Sequence, residues 1–517
     1  VSGALRGTNN KFHRAFALFM IRYKFQDKRP KNMNRKVVVI DVVGLTKSLI
    51  SKENTPFLYD YIEQRRLSVS VIDEAFPALT CTSQTTYLTG KTPAEHGIFG
   101  NGFYDTNFCE IRNWNQSAKL VRSPRIFQML KDAARSAGRR PPTIFTHSWW
   151  LTMYDPNIDF LVTPRPQYLQ DGGKVADCYT HPPELRDMLQ SKLGAFPLGQ
   201  FWGPLTSVFS SQWIAKSSMM VDEAHNPDVS FIYLPHLDYC LQKFGPSDTV
   251  QVPKDLKEID EVLKDLITYY HAKHPGVEVI LLSEYGISDT NKVVHINRIL
   301  RENGYIRTRR ENGGETLDCG ASPAFALADH QIAHIYIKNP ERDAKNIKRL
   351  LKAVPGIHKV YDPKQHAEYY ASGLQSSMDE MIAAGRTGHL IAMSDADAWF
   401  SYYYWLEDSM APDFAYCVAI HRKPGYDPAE MFFRHQPFLA GKLYLFWKLF
   451  LVYALRLRTT VDATPVSCDG LIRGSHGGFA YKDEHKPVVI YGNIPGQTSG
   501  RMVASDVFHV LAHFMLK

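Results

Sequence analysis

Short runs of β-branched and aliphatic residues alternate along this chain with longer stretches whose apolar positions recur every three or four residues. Val37-Val38-Val39-Ile40, Thr143-Ile144-Phe145, Val229-Ser230-Phe231-Ile232-Tyr233-Leu234 and Val277-Glu278-Val279-Ile280-Leu281-Leu282 read as strands buried on both faces. Ser123 to Ala137 predicts a helix, with Pro124 in its first turn and Ile126, Met129 and Leu130 on one side. Asp255 to His271 predicts another, carrying Leu256, Ile259, Val262, Leu263 and Leu266. Strands alternating with helices in this way predict an α/β fold, a mostly parallel sheet with helices on both faces. Residues 164–203 are rich in Pro and Gly and read as an insertion. Residues 335–465 are expected to form a smaller inserted cap, leaving 37–334 and 466–517 as the core and 1–36 as an N-terminal extension.

Chemistry concentrates in residues 76–105. Pro77 tightens a loop ahead of Thr80, and a helix is expected to begin there, so the Thr80 hydroxyl would stand beside free backbone N–H groups and the positive end of the helix dipole. Ligands gather at the C-terminal edge of open α/β sheets, and Asp41 follows the Val37-Ile40 run at that edge.

Phe76, Pro77, Thr80, Thr89, Gly90, Pro93, His96, Gly97, Ile98 and Asn101 together resemble the pattern of the nucleotide pyrophosphatase/phosphodiesterase (type I phosphodiesterase) family of the alkaline phosphatase superfamily. The resemblance covers most of residues 37–500 and implies an alkaline-phosphatase-like central sheet. It further implies that Thr80 is nucleophile and metal ligand and that Asn101 donates to a phosphoryl oxygen. Asp41 matches the first carboxylate ligand, and Asp238, in the segment before Gly245-Pro246, matches another. His476, in Gly474-Ser475-His476-Gly477, matches the late imidazole ligand.

The chain departs from that pattern at three positions. Gln242 stands where the family has His, Glu284 replaces Asp, and Tyr285 replaces the following His. Imidazole-rich sites suit Zn²⁺, whereas carboxylate, amide, phenol and threonine oxygens suit harder ions. The set Asp41, Thr80, Asp238, Gln242, Glu284, Tyr285 and His476 is therefore expected to bind one or two divalent ions, with Zn, Mn, Mg and Fe all open, or else to have lost catalysis. Histidines available as replacements are His236, which on an extended segment would face the same way as Asp238, and His330, His334 and His421. Of these, His421 and His330 are expected at the rim of the site.

The implied activity is metal-dependent hydrolysis of a phosphodiester or pyrophosphate through a phospho-threonine, with a small phosphodiester or nucleotide-like substrate. A phosphonoacetate-hydrolase-like cleavage of a C–P bond and a binding protein with an altered metal site are the alternatives. No Arg lies near Thr80 to meet the extra charge of a monoester, only Lys91, so the local sequence leans toward diesters. Lys91, His421, Trp149 and Tyr154 are the expected substrate contacts, the last two from an aromatic cluster able to stack a base. Cys81 occupies a position where nucleotide-cleaving relatives tend to carry an aromatic.

Charge adds little to this picture. The formal net charge of +7 comes from residues 1–36, which carry +9, while the remainder sums to −2; a nucleic-acid-binding surface is not indicated. The basic opening, with Phe16-Ala17-Leu18-Phe19-Met20-Ile21 inside it, reads either as part of an organelle-targeting segment or as a first helix packed on the core. The 7 scattered cysteines contain no Cys-x-x-Cys pair, which points to a reducing compartment, cytoplasmic or organellar. Leu443 to Leu455 is interrupted by Lys448 and falls short of the roughly 18 apolar residues of a membrane span.

Overall fold

The computed structural model describes residues 36–516, apart from 171–172, 366–374, 436, 456, 458–459, 480–481 and 496–499. The expectations about the basic opening lie outside these residues, save for Lys36, which donates to Asn226 Oδ1 at 2.9 Å and pairs with the buried Asp222.

The strands that matter here are β1 (Val37–Val42), β2 (Ser68–Asp73), β3 (Ile144–His147), β4 (Phe160–Pro164), β5 (Cys178–His181), β6 (Val229–Leu234), β7 (Glu278–Leu282), β8 (Ala324–Asp329), β9 (Ile332–Ile337), β10 (Ile357–Tyr361), β11 (Leu390–Ser394), β12 (Val488–Tyr491) and β13 (Arg501–Val503). A 9-stranded sheet runs in the order β13-β2-β12-β7-β1-β6-β3-β4-β5. Its centre is parallel, and β12 and β5 are antiparallel to their neighbours. All six residues of β1 and of β6 are buried, as the unbroken apolar runs predict for strands covered on both faces. Both predicted helices are present, at Ile126–Ser136, where Pro124 stands ahead of the N-cap Arg125 and not in the first turn, and at Gln251–Lys273, which begins before Asp255.

Register sets the site. Asp41 lies opposite Tyr233 of β6 and Leu282 of β7, so the chain leaving each of these strands emerges beside the Asp41 carboxylate. β6 runs through Pro235 into helix α2 (His236–Phe244), with α1 (Thr80–Thr89) standing earlier in the chain and α3 (Gln251–Lys273) following. His236 and Asp238 therefore lie on a helix, not an extended segment, and two residues apart on a helix they face different ways.

α1 is unusual in being wholly buried although it reads TCTSQTTYLT. Three of its hydroxyls turn back on the helix: Thr85, Thr86 and Thr89 donate to the carbonyls of Cys81, Thr82 and Thr85 at 2.6, 2.9 and 2.7 Å, which removes their need for water. Gly90 ends the helix with φ of 64°, and a Cβ there would come within 2.9 Å of Phe508; only glycine meets both demands.

A second, 4-stranded antiparallel sheet has the order β8-β9-β11-β10 and its own hydrophobic cluster, reaching from Val294 to Ile472. The boundary anticipated at 335 falls inside β9. The β8–β9 hairpin reaches back to the first sheet, where Gln331 N donates to His476 O at 2.8 Å and Ala78 N to Gly477 O at 3.1 Å. Thr80 and His476 are thus pinned beside the hairpin tip.

Candidate active site

The seven expected metal ligands converge, with Asn101 beside them, on one buried hollow at the C-terminal ends of β1, β6 and β7. Thr80 Oγ1 lies 3.1 Å from Tyr285 Oη, and Tyr285 donates to Asp238 Oδ1 at 3.3 Å. Gln242, one turn along α2 from Asp238, donates to Asp238 Oδ2 at 2.9 Å and accepts from Tyr426 Oη at 2.8 Å. His476 Nε2 lies 3.9 Å from Asp238 Oδ1, and the His476 ring stacks on Tyr285 at 3.5 Å and 6°. Asn101 caps α1, its Oδ1 accepting from Cys81 N at 3.1 Å and its Nδ2 donating to Asp329 at 3.3 Å. One of the α1 N–H groups expected to be free is therefore already taken.

Gln84 was not singled out from the sequence, though its position one turn after Thr80 carries the signal. Its Nε2 donates to Glu284 Oε1 at 2.7 Å and reaches Asp41 Oδ2 at 3.5 Å, while Oε1 accepts from Trp150 N at 2.8 Å. Asp329 and Tyr426 were missed as well, because both come from the second sheet's side of the molecule and nothing in their local spacing points to the first sheet. His330 occupies the hairpin tip with φ of 58°, a strained backbone for a non-glycine residue. Its Nδ1 lies 2.7 Å from Asp329 Oδ1, and its ring stacks on Tyr426 at 3.7 Å and on His476 at 3.8 Å. Tyr285, His476, His330 and Tyr426 thus form a continuous column of rings.

Burial without cations dominates the electrostatics. Asp41, Asp238 and Glu284 are at most 5 % exposed, and among the described residues none has a Lys or Arg partner. Burial, with Glu284 alongside, holds the Asp41 carboxyl well above its ordinary value. Burial likewise raises Asp238 and Glu284 each to about 7 and Asp329 to about 6. His476 and His330 are pushed down by burial, which keeps both imidazoles neutral. Since His476 Nδ1 faces Ala78 O at 2.8 Å, its lone pair is on Nε2.

The remaining predicted residues lie elsewhere. Lys91 is at the far end of α1, paired with Glu95 at 3.1 Å. Trp149 is wholly buried against Phe231, with ring centroids 5.1 Å apart, so it stacks no substrate. His334 lies in β9 with Nε2 3.0 Å from Phe99 O. Tyr154 and His421 line a cleft of about 870 Å³ together with Trp114, Arg165 and Arg422. Trp114 N donates to Asn101 O at 2.8 Å, so the cleft begins one residue away from the hollow. Arg165 donates to Tyr154 Oη at 3.2 Å and has no carboxylate partner among the described residues.

Residues 37–427 match the family model of type I phosphodiesterases / nucleotide pyrophosphatases. The chain belongs to this family. Among curated relatives, an ectonucleotide pyrophosphatase/phosphodiesterase 1 from Saccharomyces cerevisiae is 28 % identical over 290 residues, covering 51 % of this chain and 35 % of the yeast protein. The chain spans less than half the length of the curated relatives it matches. Murine ectonucleotide pyrophosphatase / phosphodiesterase 5 superposes with a TM-score of 0.53 at 14 % identity, over 93 % of this chain and 95 % of the murine one. Phosphonoacetate hydrolase from Sinorhizobium meliloti, in complex with phosphonoformate, gives 0.55 at 15 % identity over 94 % and 96 %. These likenesses establish the family's alkaline-phosphatase-like fold. Among the described residues no helix is long and apolar enough to cross a membrane.

The family implies divalent ions, and the hollow fits them. Asp41 Oδ1, Glu284 Oε2 and His476 Nε2 are buried without a hydrogen-bond partner, which is costly unless something else satisfies them. Three buried carboxylates with a threonine and a phenol form an oxygen-rich set of the kind hard cations take.

Proposed function

We propose that this chain hydrolyses phosphodiester or pyrophosphate bonds, with Thr80 as nucleophile and a divalent cation held by Asp41, Glu284 and Thr80, and by Asp238 with His476. The observation that carries this reading is the juxtaposition of a threonine hydroxyl at a helix N-terminus with three buried carboxylates that lack cationic partners. When bound, the cation would supply Lewis acidity to the phosphoryl oxygens and to Thr80 Oγ.

The protein's own groups account for the rest. Thr80 Oγ1 attacks phosphorus, the bond to the leaving oxygen breaks, and a phospho-threonine forms that water then hydrolyses. Tyr285 donates to Asp238 and accepts from Thr80, so the hydroxyl proton has a hydrogen-bonded path away from Oγ1. Asn101 is held by Asp329 and Cys81, which aims its second amide N–H at the phosphoryl oxygens. The cleft carrying Tyr154, His421 and the unpaired Arg165 suits a small, anionic, aromatic leaving group such as a nucleotide.

One observation favours a second reading. Gln84 and Gln242 already donate to Glu284 and Asp238, as an altered site in a binding protein would. Assays of bis-p-nitrophenyl phosphate, p-nitrophenyl phosphate and phosphonoacetate with added Mg²⁺, Mn²⁺ or Zn²⁺, against Thr80→Ala, separate the readings. Diester turnover that Thr80→Ala abolishes supports the hydrolase. Turnover unchanged by Thr80→Ala removes the nucleophile assignment, and binding without turnover supports the second reading.

A further inference from the structure

Helix α2 presents two pairs of side chains, each pair one turn apart, to different neighbours. Asp238 and Gln242 face the hollow; His236 and Cys240 face α3. On α3, Asp255 and Glu258 are likewise one turn apart and look back at them. His236 Nε2 lies 3.7 Å from Asp255 Oδ1 and 3.6 Å from Glu258 Oε2, and one ligand atom from each of the three lies within 4.8 Å of the others. The Cys240 thiol is within hydrogen-bonding reach of Asp255.

Two further features mark this group as more than an acidic cluster. His236 is 5 % exposed and its Nε2 has no hydrogen-bond partner, although two carboxylates flank it at distances too long for hydrogen bonds. Donor atoms around one tetrahedral zinc, each about 2.0–2.3 Å from the ion, stand roughly 3.3–3.7 Å apart, and His236 Nε2 meets that spacing to both Asp255 Oδ1 and Glu258 Oε2. Asp255 Oδ1 also accepts from Gln251 Nε2 at 2.9 Å, and Lys254 lies 3.8 Å from Glu258 Oε1, contacts that orient the carboxylates. Glu258 is at the rim, its side chain 35 % exposed, so an ion can enter without opening the core.

We infer that His236, Cys240, Asp255 and Glu258 form a structural site for a borderline-soft divalent ion of the Zn²⁺ class, clamping α2 to α3 behind the active site. One nitrogen, one sulfur and two carboxylate oxygens are the mixed donor set that zinc accepts and magnesium does not. Binding displaces the thiol proton of Cys240, which leaves to solvent as the thiolate–metal bond forms. The ion would fix the back of the helix whose front carries Asp238 and Gln242.

The full chain, stripped with a chelator, is titrated with Co²⁺ as a coloured stand-in and with Zn²⁺ by calorimetry. Expected are a thiolate-to-cobalt charge-transfer band that persists in Cys81→Ser and vanishes in Cys240→Ser, and at least a tenfold weaker Zn²⁺ affinity at one site in Glu258→Gln. Diesterase activity of Glu258→Gln at saturating Mn²⁺ is expected to match the parent. If Cys240→Ser does not fold, the parent spectrum and Glu258→Gln decide alone. The inference is overturned if no thiolate band develops, or if Zn²⁺ binding is the same in Glu258→Gln. Nitrogen NMR in the presence of Zn²⁺ supplies a further readout: loss of the His236 Nε2 proton supports the site. A ring protonated on both nitrogens would make His236 a charged bridge between two acids, and overturn it.

Discussion

Thr80 Oγ1 and Tyr285 Oη lie 3.1 Å apart, in a place where the family pattern puts an imidazole in the second position. A neutral phenol oxygen donates a lone pair to a borderline-soft cation more weakly than imidazole nitrogen does, but it links Thr80 to Asp238 by hydrogen bonds. Tyr285→Phe is therefore expected to fold normally and to lose roughly 10²-fold in kcat with little change in KM, the scale of a lost proton-handling group. Steady-state kinetics on bis-p-nitrophenyl phosphate check this, and a kcat within twofold of the parent would exclude the relay.

Gln84 spans Asp41 and Glu284 and so does part of the work of a counter-ion. Gln84→Met leaves buried carboxylate oxygens unsatisfied, which is expected to cost about 1–3 kcal/mol in the metal-free protein. Saturating Mn²⁺ should recover most of that loss. Urea unfolding with and without the ion measures both, and equal losses in the two conditions would detach Gln84 from the cation site.

Asp238 and Glu284, each raised to about 7 by burial, titrate near 4 in the unfolded chain. The folded protein thus keeps protons that the unfolded chain releases, and the stability they contribute is full below about pH 4 and lost as pH rises through about 7. Metal-stripped protein is expected to melt at higher temperature near pH 5 than near pH 8, with a shallower slope in Asp238→Asn and in ion-saturated protein. Parallel slopes in all three samples would contradict it.

Lys423, 2 % exposed, is locked between Asp427 at 2.7 Å and Glu430 at 2.9 Å. The acids also hold the turn that delivers Tyr426 to Gln242. Removing the ammonium strands two buried carboxyls, so Lys423→Met is expected to destabilise by about 3–5 kcal/mol, read from denaturant midpoints, and to lower activity through displacement of Tyr426.

Local pattern was enough for the strands around Asp41 and for the Thr80 turn, because runs buried on both faces and a proline-led helix start are written in neighbouring residues. The order of the central strands then follows from their parallel pairing, which carries Asp238 and Glu284 to Asp41. Gln84 was hidden for a different reason: a glutamine in a hydroxyl-rich helix has no distinguishing environment until the helix is known to be buried. His330, Asp329 and Tyr426 depend on how the second sheet docks, a relationship between residues far apart in the chain. Lys91 and Trp149 misled for the opposite reason, since closeness in sequence to Thr80 or to an aromatic cluster does not decide which way a side chain points.

The column of rings joins Tyr285 and His476 from the first sheet's side to His330 and Tyr426 from the second. Neither half holds a complete set, and His476 follows the stretch matched by the family model. The reacting hollow is consequently a seam product: it comes into being only when both halves have folded and met, so catalytic competence should arrive last in folding and vanish first when the seam loosens. Chimeras exchanging the second sheet between relatives would have to carry the matching rings across with it.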